Sequence, residues 1–89
     1  METLYLDTET TGLSSSRGDR IVELAVVDDD GRTVIDTLVN PEREIPWDAT
    51  RIHGITDEMV AQAPTMEELW PAIEAATTGR HVVIYAKNQ

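Results

Sequence analysis

Apolar residues in this chain fall into short blocks separated by polar turns, and their spacing changes along the chain. Thr3-Leu4-Tyr5-Leu6-Asp7 is a brief apolar run between polar neighbours, which predicts a buried strand. Ile21 to Val27 is rich in β-branched residues and predicts a second strand. Asp28-Asp29-Asp30-Gly31 follows it and ends in the Asp-Gly pair of a hairpin turn, so Thr33 to Val39 should return antiparallel as a third. Between Thr8 and Arg20 the chain is rich in Thr, Ser and Gly and reads as a loop. Asn40-Pro41 closes the third strand. Glu42 to Pro64 reads as loop with short helical turns, one ended by Gly54 and one capped by Thr56. From Thr65 the period changes. Met66, Leu69, Trp70, Ile73 and Ala76 recur at spacings of three and four, which predicts a helix to about Thr78, with Trp70 in the core. Thr65 and Glu68 fit a capping box at its start and Gly79 terminates it. His81 to Tyr85 is the last strand.

Three strands, a helix and a strand make an α/β arrangement whose crossover places the last strand parallel to a neighbour, the first being the best candidate. With 89 residues and 40% apolar content, one modest core is expected and a second domain is excluded.

Charge and composition narrow the chemistry. There is no cysteine, so any metal must be held by carboxylate, imidazole or water, a donor set that favours hard ions such as Mg²⁺ or Mn²⁺. Seventeen acidic residues against seven basic ones give a net charge of −10, which disfavours generic phosphate binding. A nucleic-acid enzyme escapes that objection if divalent cations offset its carboxylates. No apolar run reaches bilayer length and Met1-Glu2-Thr3 lacks the basic start of a signal peptide, so the expectation is a soluble, cytoplasmic protein without a membrane partner.

Asp7 and Glu9 stand two residues apart at the end of the first predicted strand, and a strand sends such positions to one face. Two carboxylates pointing together repel unless a cation lies between them or one stays protonated, so this Asp-x-Glu is a candidate half-site for a divalent metal. The surrounding octapeptide Leu6-Asp7-Thr8-Glu9-Thr10-Thr11-Gly12-Leu13 resembles the first motif of the DEDD-type 3′→5′ exonucleases, which include the proofreading epsilon subunit (DnaQ-like) of bacterial replicative polymerases. The resemblance implies a ribonuclease H-like fold beginning with a three-stranded antiparallel meander. It also implies two-metal hydrolysis of terminal phosphodiester bonds in DNA or RNA, with Asp7 and Glu9 as catalytic metal ligands. Thr8, Thr10, Thr11, Gly12 and Leu13 would hold the terminal nucleotide. Arg51-Ile52-His53-Gly54-Ile55-Thr56 resembles a second segment of the same family, placing Ile52 and His53 near the 3′-terminal nucleotide. From the residues alone, Gly54 is a helix C-cap and His53 is exposed or locally hydrogen-bonded.

The resemblance stops short of a full site. The family follows its last strand with an Asn-containing segment, an aromatic residue and a third acidic ligand. Here Tyr85 is followed by Ala86-Lys87-Asn88-Gln89, with neither that Asn nor that aromatic in place. The expectation is one partial exonuclease domain over residues 1–89, incomplete or inactive as an isolated chain, because the third and fourth acidic motifs and the general base are missing from it. His81 is a poor substitute base, since it begins its strand roughly 13 Å from Tyr85. The rival expectation is a non-catalytic acidic module or inhibitor that binds a nucleic-acid enzyme. Expected partners are a single-stranded 3′ end, a polymerase or a second chain that completes the fold, and, through an uncovered sheet edge, another copy in a homodimer. Trp47 can pack the irregular loop, Glu23 reads as a solvated or paired edge residue, and Asp28 to Asp30 read as a charged turn rather than a calcium loop.

Overall fold

A computed structural model describes residues 2–11 and 20–86 and, for Ala86, the backbone only. Its strands are β1 (Thr3–Thr10), β2 (Ile21–Asp28), β3 (Thr33–Leu38) and β4 (His81–Ala86). Three helices, α1 (Trp47–His53), α2 (Asp57–Val60) and α3 (Met66–Thr77), lie between β3 and β4. The sheet order is β3-β2-β1-β4, with β1 antiparallel to β2 and parallel to β4, and β2 antiparallel to β3. This is the expected α/β meander with α3 as the crossover.

Local chemistry accounts for the joints. In the β2–β3 turn the Asp28 carboxylate accepts from the N–H groups of Asp30 and Arg32, both at 2.9 Å, and Gly31 takes φ +80°, which a side chain would strain. Gly54 ends α1 in the left-handed region at φ +77°, donating its N–H to the Thr50 carbonyl at 2.7 Å. Thr56 caps α2, and Thr65 and Glu68 form the expected capping box of α3, each side chain accepting from the other residue's backbone N–H.

Among the described residues, two apolar clusters fill the interior. Leu4, Leu24, Val26, Val39 and Ile73 lie between the sheet and α3, flanked by Leu6, Ile21, Ile35, Met66 and Leu69. Val22, Ile45, Ala49, Ile55 and Val60 form a second cluster that fastens α1 and α2 to the start of β2. One expectation fails: Trp70 is not core but 55% exposed. The buried stripe of α3 is centred on Ile73, and Trp70 sits roughly 60° around the helix axis from it. Glu23 is likewise not on an edge strand, since β2 lies between β1 and β3. Among the described residues, no helix is long and apolar enough to cross a membrane.

Candidate active site

The site is built on the second half of β1. Leu4 and Leu6 face α3, so strand alternation turns Tyr5, Asp7 and Glu9 to the opposite side. Both carboxylates are half-buried, and Oδ1 of Asp7 is shielded from solvent. Asp7 lies beside Ala25 on β2 and Tyr85 on β4. Tyr5 and Tyr85 stack with ring centroids 6.2 Å apart and planes at 22°, forming an aromatic flank on the β4 side of Asp7. His81 pairs with Thr3, well back along the strand from Asp7, as expected.

The strand register adds a residue that sequence reasoning assigned elsewhere. Glu9 stands directly opposite Glu23 on β2. Directly opposed side chains in an antiparallel pair have Cβ atoms about 4.5–5.5 Å apart, and like charges so placed are destabilising. Period-two patterning could have put Glu23 on the open face. Its pairing with Glu9 depends on the register across residues 12–19, and on the irregularity between Glu9 and Thr10. Asp7, Glu9 and Glu23 thus share a face, but among the described residues no group of three His, Asp or Glu side chains is placed to hold one metal ion.

The end of β1 is held from two directions. Thr11, only 2% exposed, donates its backbone N–H to the Arg20 carbonyl at 2.7 Å and accepts the Arg20 N–H on Oγ1 at 2.8 Å. That reciprocal pair closes the base of the intervening segment and leaves Thr11 committed to the protein. From the other direction comes His53. Its Nδ1 accepts the Ile55 N–H at 3.0 Å, which makes Nε2 the protonated nitrogen, and Nε2 donates to the Thr10 carbonyl at 3.1 Å. The ring therefore latches the α1 C-cap to the last residue of β1, one position after Glu9. With both nitrogens engaged, what His53 can offer a ligand is its ring face.

The structure thus brings together Asp7, Glu9, Thr10, Thr11 and His53 at the end of β1. Thr8 alternates to the α3 side of the strand, so its contribution to a ligand on the carboxylate face would come through its backbone. Ile52 is 56% exposed beside His53. Gly12 and Leu13, with the serine-rich part of the predicted loop, lie outside the described residues.

Comparison with known proteins places this arrangement. The RNase T exonuclease family model matches residues 4–89. An exonuclease of Escherichia phage 186 is 44% identical over 82 residues, covering 92% of this chain and 41% of the phage protein. A DNA polymerase III subunit epsilon-like protein of Rhodobacter capsulatus is 53% identical over 71 residues, covering 74% of this chain and 10% of that protein. Exonuclease X, solved in complex with 5′-overhanging duplex DNA, superposes with a TM-score of 0.66 at 42% identity, over 80% of this chain and 42% of that one. Exonuclease I from Methylocaldum szegediense superposes with a TM-score of 0.76 over 98% of this chain and 20% of that one, and at 22% identity shows the fold alone. The chain therefore spans well under half the length of these relatives. The β3-β2-β1-β4 sheet, the carboxylates of β1 and the match over residues 4–89 together make this chain a member of the RNase T exonuclease family, with its ribonuclease H-like fold.

Proposed function

We propose that this chain carries the first half of a metal-dependent 3′→5′ exonuclease site acting on DNA, with Asp7 and Glu9 as its metal ligands. The observation that carries this is the pair of half-buried carboxylates on one face of β1, with Glu23 opposite Glu9. Oxygen donors alone suit Mg²⁺ or Mn²⁺, and concentrating like charge on a half-buried face is costly without a cation. DNA is preferred over RNA because the relatives include DNA polymerase III epsilon subunits and exonuclease X was solved with DNA.

Divalent ions, when bound, would supply an activated water and offset charge on the leaving 3′ oxygen. Asp7, with one oxygen already shielded from solvent, would hold its ligand in a weakly screened setting. The His53 latch and the Thr11–Arg20 pair both hold the peptide unit that joins Thr10 to Thr11, and so anchor the backbone just beyond Glu9. The Tyr5–Tyr85 stack lines the β4 side of Asp7 with aromatic surface. The remaining ligands and a general base would come from additional polypeptide, either a continuation of this sequence or a partner, such as the polymerase with which epsilon-type relatives are named.

The test is release of terminal label from 3′-labelled single-stranded DNA and RNA by the purified chain with Mg²⁺ or Mn²⁺, beside Mn²⁺ binding read by paramagnetic broadening of Asp7 and Glu9 resonances. Broadening that disappears in Asp7→Ala is expected, with metal-dependent cleavage wherever the site is completed. A folded chain with no Mn²⁺ effect at these residues would falsify the half-site and favour a non-catalytic acidic binding module.

A further inference from the structure

Among the described residues, the most exposed large apolar side chain that the carboxylate site does not absorb is on α1. Trp47, its first residue, is 73% exposed and belongs to neither core cluster. Arg51 lies one turn on, and its guanidinium carbon stands 5.8 Å from the centroid of the Trp47 ring. Positions i and i+4 are neighbours on a helix surface, so the pair forms one unit of aromatic and cationic character. A large indole left in water forgoes the stabilisation that burying its apolar surface would give. Ile52, beside Arg51 in sequence, is also exposed.

Two facts point to the occupant. First, the pair sets a guanidinium beside an exposed aromatic face, a combination that suits the base and the phosphate of one nucleic-acid strand. Second, α1 is anchored to the carboxylate site: its last residue, His53, bonds the Thr10 carbonyl. A helix of seven residues is about 10 Å long, so Trp47 stands within a few nucleotide steps of the end of β1. Resting on the exonuclease reading above, we propose that Trp47 and Arg51 form a stacking platform for an unpaired base of the strand whose 3′ end lies at Asp7 and Glu9. A base stacks on the indole, Arg51 offsets the adjacent phosphate, and Ile52 widens the apolar surface. Stacking on a π-face tolerates any base, which suits a nuclease that removes nucleotides regardless of sequence.

The experiment uses a Trp70→Phe background, which leaves Trp47 as the sole tryptophan on a chain altered only at an exposed position, and excites at the red edge of the indole band, where Tyr5 and Tyr85 do not absorb. Short single-stranded oligothymidylate is titrated in with Ca²⁺ replacing Mg²⁺. Binding is expected to quench Trp47 emission. Trp47→Ala, followed by anisotropy of labelled oligothymidylate, should weaken binding about 5- to 150-fold. Trp47→Phe should retain most of the affinity and Arg51→Ala should lower both affinity and its salt dependence. Unchanged affinity in Trp47→Ala overturns the platform while leaving the exonuclease reading intact, and so does a Trp47 signal indifferent to bound oligonucleotide. Quenching that persists in a chain without Mn²⁺ binding at Asp7 would instead keep the platform and remove the metal site.

Discussion

The two ends of β1 are built on opposite electrostatic principles. At its amino-terminal end opposite charges meet: Arg80 Nε lies 2.7 Å from the Glu2 carboxylate, Arg80 also donates to the Ala76 carbonyl, and the His81 N–H bonds the Glu2 carbonyl. Towards its carboxyl-terminal end like charges meet, with Glu9 facing Glu23 and Asp7 on the same side of the sheet. The first end is what stability alone would select. The second is tolerated because the apolar layer on the other side of the same strands supplies the stability, and places where local rules conflict are where function is expected. Neighbouring residues of β2 show the division: Leu24, 1% exposed, points into the core, and Glu23 points to the carboxylate face.

The largest break in this comparison comes from the core side. Leu24→Ala removes a side chain packed among Leu4, Val26, Val39 and Ile73 and should cost about 2–5 kcal/mol. For a domain of this size that is a large share of the total. Urea denaturation should show a much lower midpoint or a chain already unfolded in buffer. A change below about 1 kcal/mol would mean that the sheet–helix layer is not what holds β1 and β2 in place.

Much of the fold is written in local chemistry. Asp-Gly at the β2–β3 turn, Gly54 after α1 and the Thr65–Glu68 box each specify a joint with residues a few positions apart. The Asp7–Glu9 pair was legible for the same reason, since period two fixes a common face without knowledge of the rest of the sheet. What escaped depends on distance. Trp70 has core-like spacing, yet whether the edge of that stripe is covered depends on what packs against α3 from elsewhere in the chain, and here it is exposed. Glu23 meets Glu9 only through a register set across a long connection and an irregularity at Glu9. His53 was legible as a residue before a cap, whereas the pairing of its Nε2 with Thr10 joins positions 43 apart.

Glu23→Gln sharpens the comparison by changing its sign. Removing one of two directly opposed like charges should raise stability by about 0.2–1 kcal/mol in metal-free buffer. With saturating Mn²⁺ the advantage should shrink or reverse, because a bound cation already offsets the repulsion while Gln contributes less to holding it. Paired denaturation curves in EDTA and Mn²⁺ measure both. A loss of stability in EDTA would show that Glu23 is favourably engaged and that the carboxylate face is not under strain.

Glu2→Gln tests the other end and should move stability least, downward by about 0.2–0.5 kcal/mol. The pair is short but partly exposed, with side chains 38% and 46% accessible, and such ion pairs lose most of their attraction to solvent screening. Arg80 also keeps its 2.7 Å bond to the Ala76 carbonyl, so the guanidinium stays anchored after the carboxylate is neutralised. The effect should fade in 1 M salt, where the screening length falls to about 3 Å. The repulsion between Glu9 and Glu23 should be relieved by salt in the same experiment, so added salt should narrow the difference between Glu2→Gln and Glu23→Gln from both sides. If the two variants instead shift in the same direction at low salt, the ends of β1 do not differ in the way their geometry implies, and the net charge of the whole chain governs both.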